Sequence, residues 1–415
     1  MATIKPFKAY RPEPSLAFRC AALPYDVFNS DEARIEVEKE PLSFLAIDRP
    51  ETQFEKGHDI YSEEVYKKAH NVLWERIENG TYVQDSVPCF YVYEQTMNGR
   101  TQTGLVGCAL VDDYLNNVIK KHENTLEKKE QDRIRHVDAC NAQTGPIFLG
   151  YRNNAEIDKI IDKIKYTQAP VYEFTSNDGV INRIFVCADE RDVKKISELF
   201  ETIDSIYIAD GHHRCASAVK VGLKRRSEDP NPTGRKEYDY FLSVLFPENE
   251  LMIMDYNRVV KDLNGLSDQE FMDRLSEKYD VTELGSVAVK PKEKYHISMY
   301  MNDMWYSLVA KETVRKDDAV EGLDVSILQN EILDPVLGIK DPKNDNRIDF
   351  VGGIRGLKEL ERRCHEDMKV AFAMYPTAIG ELFDVADAGK LMPPKTTWFE
   401  PKLLSGLFIH AFDDQ

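Results

Sequence analysis

The stretch that decides the fold reads Ser205-Ile206-Tyr207-Ile208-Ala209-Asp210-Gly211-His212-His213-Arg214-Cys215. Its first five residues predict a short buried strand, and Cys215 begins a run that predicts a helix as far as Leu223. A strand that passes into a helix through a glycine turn points backbone N–H groups at one place. Because the helix dipole adds partial positive charge there, the turn predicts an anion site.

The side chains of this turn suit phosphate chemistry. Arg214 lies in the first helical turn, where its planar guanidinium can hold phosphate oxygens. His212 and His213 can donate hydrogen bonds or carry a proton near neutral pH. Asp210 can orient one of these histidines or help to hold a magnesium ion carried by the phosphates. The alternative is a capped helix whose histidines satisfy buried polar groups.

The composition excludes several classes of protein. The chain has 415 residues, 42% of them apolar and 30% charged, which is a globular balance with room for two or three domains. A net charge of −18 disfavours binding to nucleic acid or to anionic membranes. Seven cysteines without a C-x-x-C pair indicate reduced thiols. No apolar signal segment or membrane-length run is visible, so a cytoplasmic chain is expected.

The order of the predicted elements indicates an α+β (mixed α/β) fold, because helices and hairpins mix without the regular alternation of a doubly wound sheet. Asn98-Gly99 between two apolar runs is the clearest hairpin signal. The predicted hairpins pair Cys89–Met97 with Arg100–Val111, Val171–Phe174 with Ile181–Cys187, Phe241–Phe246 with Leu251–Tyr256, and Tyr295–Met301 with Trp305–Ala310. The predicted helices are Tyr61–Asn79, Thr125–Cys140, Asn154–Tyr166, Asp189–Ile203, His213–Lys224, Ser267–Tyr279, Val325–Leu333, Arg355–Glu366 and Ala378–Ala388, and a further helix is expected to follow an N-cap at Ser30. The main division is placed near residue 250, which gives regions 1–250 and 251–415.

At this point the chain resembles a known family. The turn and its preceding strand are similar to the signature of a bacterial and archaeal family long labelled domain of unknown function 1015, which is related to the ParB/sulfiredoxin-like superfamily. The other matching stretches are Leu23-Pro24-Tyr25-Asp26-Val27, Lys121-His122-Glu123 with Thr125 and Asp132-Arg133, and Met392-Pro393-Pro394-Lys395-Thr396-Thr397 running to Pro401-Lys402-Leu403-Leu404-Ser405-Gly406. The resemblance covers nearly the whole chain and implies a ParB/sulfiredoxin-like catalytic core with large α/β elaborations and a C-terminal α+β region.

The form of the turn is most similar to the serine-kinase branch of that superfamily. Sulfiredoxins carry Gly-Cys-His-Arg, and here the cysteine position is His212; ParB proteins carry Gly-Glu-Arg-Arg, and here those positions are His212 and His213. The resemblance implies a kinase that phosphorylates free L-serine with ADP or ATP and Mg²⁺. A nucleotide or phosphoester hydrolase and a non-enzymatic nucleotide switch stay open as alternatives, as does a homodimer.

The resemblance also implies roles for residues outside the turn. Lys121, His122 and Arg133 are expected to bind phosphate or nucleotide. Glu123 is the first candidate for the general base that takes the hydroxyl proton of the acceptor, provided that burial makes it basic enough. Asp26 is the second candidate for this role. The ligand of a magnesium ion stays open, with Asp210 and Asp26 as the two candidates.

Two lysines lie in the proline-rich C-terminal stretch. Pro393 and Pro394 are expected to fix an extended loop that carries Lys395 into the cleft of the first region, where it would neutralise phosphate charge. Lys402 is expected to be a solvated lysine of a well-packed tail. The sequence holds no G-x-x-x-x-G-K-[ST] motif, so nucleotide binding through a P-loop is excluded.

Overall fold

The computed structural model describes residues 1–125 and 127–412, and these form two compact units. The first unit contains Met1–Leu251 together with the chain from Pro401 onward, and the second is Met252–Glu400. The C-terminal segment therefore packs with the unit that carries the central turn, whereas the sequence analysis placed it in a separate C-terminal region. None of the helices in the described ranges has the length and apolarity needed to cross a bilayer.

Helices and strands are both abundant, which confirms the predicted α+β class. The helices are α1 (Ala17–Cys20), α2 (Ser30–Lys39), α3 (Leu45–Asp48), α4 (Glu63–Glu78), α5 (Val111–Leu115), α6 (Glu127–Cys140), α7 (Ala155–Thr167), α8 (Glu190–Phe200), α9 (His212–Glu228), α10 (Asp268–Lys278), α11 (Asp324–Leu328), α12 (Leu357–Glu366) and α13 (Ile379–Asp387). The strands are β1 (Ile4–Lys5), β2 (Tyr10–Pro12), β3 (Tyr82–Gln84), β4 (Phe90–Met97), β5 (Arg100–Leu110), β6 (Ile119–Lys120), β7 (Ala142–Gln143), β8 (Ile147–Tyr151), β9 (Tyr172–Thr175), β10 (Ile181–Cys187), β11 (Ile206–Asp210), β12 (Tyr240–Pro247), β13 (Ile253–Met254), β14 (Tyr256–Val260), β15 (Tyr279–Gly285), β16 (His296–Met301), β17 (Met304–Ala310), β18 (Ile348–Gly352), β19 (Val370–Met374), β20 (Trp398–Phe399) and β21 (His410–Ala411).

A mixed sheet of nine strands forms the centre of the first unit, in the order β6-β11-β8-β12-β5-β4-β10-β9 with β1 added to β5. Strand β11 runs parallel to β6 and antiparallel to β8. Because β6 and β11 are parallel, the residues that follow them leave the sheet at the same edge. This register brings the segment after Lys120 beside the turn that begins at Asp210.

One hydrophobic core fixes this edge of the sheet. Ile206 and Ile208 of β11 are buried against Phe241 and Leu245 of β12, and α7, α8 and α9 add apolar side chains to the same cluster. Burial of each large apolar side chain contributes roughly 1.5–3 kcal/mol. The end of β11 and the start of α9 are therefore held by tertiary packing, which makes them a rigid support for a binding site.

The second unit is built on a six-stranded antiparallel sheet in the order β15-β17-β16-β19-β14-β18. Its core includes the fully buried Trp305 together with Leu360 from α12. The predicted helix Val325–Leu333 begins as α11 and continues as a π-helical turn over Gln329–Leu333.

Three of the four predicted hairpins are confirmed, and the third is wrong. The first turns at Asn98 and Gly99, both with positive φ, as expected for a two-residue hairpin turn. In the third, β12 does not pair with the segment Leu251–Tyr256. Both edges of β12 are occupied by β5 and β8, and that segment contributes β13 and the first residue of β14.

The N-cap of α2 and the start of α6 differ from the sequence predictions. Asn29 caps α2 instead of Ser30, because its Oδ1 accepts from the Glu32 amide at 2.9 Å while the Glu32 carboxylate accepts from the Asn29 amide at 2.9 Å. This reciprocal pair is a capping box. The helix predicted from Thr125 begins at Glu127 in the structure, and Leu126 lies outside the described residues.

Candidate functional site

The central turn has the predicted strand–glycine–helix form. Strand β11 ends at Asp210, Gly211 adopts φ 90° and ψ 33°, and α9 begins at His212. The pairing of β11 with β8 shifts register between Ile208 and Asp210, which is the irregularity of a β-bulge and re-aims the end of the strand. With 17 residues, α9 is long enough to place a substantial partial positive charge at this turn.

The Asp210 carboxylate is ionised and has a hydrogen-bond donor at each oxygen. Its Oδ1 accepts from the Gly211 amide at 2.8 Å, and its Oδ2 accepts from the Lys402 ammonium at 3.2 Å. Burial on its own would raise the pKa of Asp210, but the charges of Lys402 and Arg214 outweigh it and hold the pKa well below its usual range. Each oxygen thus accepts one hydrogen bond, and a role of Asp210 as a magnesium ligand stays a prediction.

Arg214 lies between the start of α9 and the interior of the unit. Its Nη1 donates to the Pro146 carbonyl at 2.7 Å, and its Nη2 is 3.9 Å from Asp210 Oδ2. Burial opposes its charge, but the fields of Asp26 and Asp210 more than compensate and raise the pKa of Arg214. The guanidinium is therefore fixed and charged beside the helix N-terminus, where an anion would bind.

Gly211 leaves no space for a side chain against this guanidinium. A Cβ atom at this position would lie 3.1 Å from Nε of Arg214, in a backbone conformation that favours glycine. Gly211→Ala is expected to destabilise the protein by roughly 1–3 kcal/mol and to displace Arg214, which would weaken nucleotide binding. Urea unfolding and ADP titration measure the two effects. Gly234→Ala is the matched control, because Gly234 has φ 69° but open space around it; equal behaviour of the two variants would contradict the role of the Arg214 contact.

A pair of buried imidazoles lies beside the turn. The His122 amide donates to Nε2 of His212 at 3.5 Å, and the two rings meet edge to face with centroids 4.4 Å apart. Within the described residues, neither ring nitrogen of His122 makes a hydrogen bond, and the residue is 2% exposed. Burial lowers the pKa of His122 to about 4, against the opposing effect of Asp210 and the nearby Ile208 carbonyl. Burial and the neighbouring His122 also lower the pKa of His212 well below its ordinary value, so both rings are neutral near pH 7.

The other predicted residues near the turn are less buried. His213 is half-buried in the first turn of α9, and its carbonyl accepts from the Ser217 hydroxyl at 2.7 Å. Lys121 and Glu123 are exposed on the segment that follows β6. Because Glu123 is exposed, it lacks the burial that its proposed role as a general base requires, and that role stays a prediction.

Arg133 provides a second fixed guanidinium in the same unit. Its Nε and Nη2 donate to Asp132 Oδ2 at 3.0 and 2.7 Å, its Nη1 donates to the Asp48 carbonyl at 3.3 Å, and the group stacks on the Tyr25 ring at 4.1 Å. Burial opposes its charge, but Asp132, Tyr25 and Asp48 raise the pKa of Arg133. Arg133 therefore remains charged although it is only 8% exposed.

Two adjoining cavities surround Arg133 and Tyr25. A small inner cavity of about 30 Å³ lies between Arg133 and Arg214, with Asp48 and His136 also in its wall. A larger outer pocket of about 280 Å³ shares Tyr25, Arg133 and His136 with the inner cavity and carries Asp26 on its wall. Asp26 is exposed, so its carboxylate is accessible to a ligand in this pocket.

The two C-terminal lysines belong to different units. Lys402 belongs to the first unit, where its side chain is 19% exposed and pairs with Asp210, so the prediction of a solvated lysine is wrong. Lys395 belongs to the second unit, where its ammonium lies 5.7 Å from the centre of the Tyr256 ring and its carbonyl accepts from Arg258 at 3.0 Å. A role of Lys395 at phosphate stays a prediction.

Sequence reasoning missed several polar residues of the site. Lys402 and Tyr25 lie inside the motifs quoted for the resemblance. Their presence in those motifs was the available signal that both residues belong near the central turn. Asp48 is 3% exposed and accepts from the Thr144 hydroxyl at 2.9 Å, but the segment Ala46-Ile47-Asp48 gives no sign of this burial. Over the described ranges, no group of three or more His, Cys, Asp or Glu side chains is arranged to hold a metal ion.

Comparison with known proteins identifies one family and several distant folds. Residues 4–326 match the model of the family described as "Protein of unknown function (DUF1015)". None of the curated proteins matches the chain. Among solved structures, a free serine kinase in complex with AMP is 15% identical over 71% of this chain and 86% of its own, with a TM-score of 0.32. SbnI with a C-terminal truncation, from Staphylococcus aureus, is 11% identical over 72% and 85%, with a TM-score of 0.37. A conserved hypothetical protein from Pyrococcus furiosus is 16% identical over 71% and 90%, with a TM-score of 0.29. TM-scores this low do not support the transfer of a site or an activity.

Proposed function

This chain belongs to the family described as "Protein of unknown function (DUF1015)", and we propose that it is a phosphotransferase that moves a phosphoryl group from a nucleotide to a small hydroxylated acceptor. The proposed donor is ADP or ATP with Mg²⁺, and the leading acceptor is free L-serine. The geometry of residues 210–214 carries the proposal, because the positive end of α9, the fixed charge of Arg214 and the neutral ring of His212 meet there. The choice of serine rests on the sequence resemblance of the turn to the serine-kinase branch.

The proposed mechanism relies on positioning and charge stabilisation, which supply most of the catalysis in phosphoryl transfer. The first amides of α9 and the Arg214 guanidinium would hold the donor phosphates, and His212 and His213 would donate hydrogen bonds to the group in transit. Mg²⁺ would neutralise phosphate charge on the nucleotide. Asp26 fits a magnesium ligand or a base better than Asp210, since its carboxylate is exposed on the outer pocket. Glu123 remains the alternative base.

The outer pocket favours transfer to an acceptor over hydrolysis. Its volume of about 280 Å³ equals that of roughly nine water molecules in the liquid, which is enough for a small organic molecule. Arg133 and Tyr25 border both this pocket and the inner cavity that Arg214 lines. An acceptor in the outer pocket would therefore lie in the same unit as the phosphate site and next to the Arg133 guanidinium.

The test supplies the protein with ADP or ATP, MgCl₂ and L-serine and analyses the products by mass spectrometry and ³¹P NMR. Formation of O-phosphoserine supports the proposal, and other hydroxylated acceptors then define the specificity. Release of inorganic phosphate in the presence of each acceptor, without phosphorylated product, would replace it with the hydrolase. Nucleotide binding without turnover would replace the phosphotransferase proposal with a non-enzymatic nucleotide switch. If the folded protein binds no nucleotide, the proposed phosphate site is refuted.

A further inference from the structure

The chain from Pro401 onward returns a lysine to the central turn. The Lys402 ammonium is 3.2 Å from Asp210 Oδ2, and its side chain is 19% exposed. Its backbone is fixed as well, because the Lys402 carbonyl accepts from Nε2 of Gln95, a residue of β4 that is 1% exposed. A lysine held in this way is presented at one place on the sheet edge, unlike a solvated surface lysine.

Two cations approach the Asp210 carboxylate. Lys402 and Arg214 lie 3.2 and 3.9 Å from its Oδ2. The field of Asp26 also acts on Arg214. The N-terminus of α9 adds the equivalent of roughly half a positive charge. In a chain of net charge −18, two fixed cations beside a helix N-terminus provide a local attraction for an anion.

A second, independent feature points to a ligand at the same edge. His122 is 2% exposed, and neither ring nitrogen has a partner at full hydrogen-bonding geometry among the described residues, although the Ile208 carbonyl is close enough to raise the pKa of the ring. Buried polar atoms without partners are rare in native proteins and call for an explanation such as a bound group. His122 lies against His212, the first residue of α9, so the unmet donor and acceptor are beside the helix N-terminus.

We propose that Lys402 is a phosphate-binding residue of this site. Asp210 holds the Lys402 ammonium at the end of β11, and the ammonium donates a hydrogen bond to a phosphate bound at the start of α9. Lysine is a compact, strongly charged phosphate ligand with three donors, so it can keep its contact with Asp210 and still reach an oxygen of the ligand. The ligand class is a phosphate group, with a nucleoside diphosphate as the form tested. The inference rests on the phosphate site of the proposed function but not on the identity of the acceptor.

The experiment measures ADP affinity by calorimetry for the full chain and its variants. Lys402→Met is expected to weaken ADP binding by roughly 10- to 100-fold, the effect of losing one charge-assisted hydrogen bond. Lys402→Arg should recover part of this loss. Lys8→Met, at an exposed lysine of the same unit, is the control and should bind ADP like the wild type. The ADP affinity of Lys402→Met should also depend less steeply on salt concentration. Inorganic phosphate serves as a competitor of ADP for each variant.

The comparison of Asp210→Asn with Asp210→Asn/Lys402→Met separates binding from structure. If Lys402 only neutralises Asp210, removal of the lysine charge in the Asp210→Asn background should have no effect on ADP affinity, and this result would overturn the proposal. If Lys402 contacts phosphate, affinity should fall again by about 10-fold. This pair stays informative if Lys402→Met alone unfolds, because it leaves no unpaired carboxylate. Failure of the folded wild type to bind either ADP or inorganic phosphate would refute the proposed function instead.

Discussion

Replacement of Arg214 by lysine is expected to lower the rate of phosphoryl transfer by roughly 10²–10³-fold while the protein stays folded. Nη1 of the guanidinium donates to the Pro146 carbonyl, and Nη2 lies 3.9 Å from Asp210 Oδ2. It also lies where a side chain on residue 211 would begin, because a Cβ atom there would be 3.1 Å from its Nε. Lysine keeps the charge but has no planar fork, so it cannot hold these contacts and a phosphate oxygen together. The measurement compares O-phosphoserine formation and ADP affinity, with circular dichroism to verify folding.

Arg225→Lys is the matched control for this prediction. Arg225 lies on the same helix α9 near its other end, where it pairs with Asp138 at 2.8 Å. Its conservative replacement should leave both transfer and ADP affinity unchanged. If Arg214→Lys keeps activity and affinity within about threefold of the wild type, a difference of less than ~1 kcal/mol, then Arg214 is a structural residue and the phosphate site must lie elsewhere.

The parts of the fold that depend on neighbouring residues could be predicted from the sequence. The strand–glycine–helix turn and the Asn98-Gly99 hairpin both follow from residues within a few positions of one another. Partners far apart in the chain could not be predicted in this way. Strand β12 reads as half of a hairpin with the next apolar run, but its neighbours in the sheet are β5 and β8. The local sequence pattern does not indicate which strands pair with each other when they are far apart in the chain.

The same distinction applies to the site. Residues 210–214 could be identified as a site because their functional side chains lie together in one turn. The segment after β6 was identified as part of the site from the family resemblance. Lys402 is 192 positions from Asp210, and only the return of the C-terminal segment to the first unit brings the two together. Lys395 was favoured because paired prolines flank it, yet the stiffness of a loop does not reveal which unit the loop joins. The protonation states of His122 and His212 depend on burial, which the sequence alone does not give.

Those protonation states lead to the second large effect, a loss of stability in mild acid. The ordinary histidine pKa of 6.5 falls to about 4 for buried His122. Between these values the unfolded chain binds a proton that the folded chain resists, so the free energy of unfolding decreases as the pH falls from 6.5 toward 4. The contribution of His122 is fully present above pH 6.5. Its loss across this window amounts to about 3 kcal/mol, since one pKa unit corresponds to about 1.4 kcal/mol.

His122→Gln is expected to reduce the pH dependence of the free energy of unfolding. Glutamine does not titrate, so the variant lacks the contribution of His122. Urea unfolding of the wild type and the variant at several pH values between about 4.5 and 7 measures the difference in slope. His365→Gln is the control, because the His365 side chain is 59% exposed. Parallel pH profiles for wild type and His122→Gln would mean that the folded protein accepts the proton at little cost, and that burial does not hold the His122 ring neutral between pH 6.5 and 4.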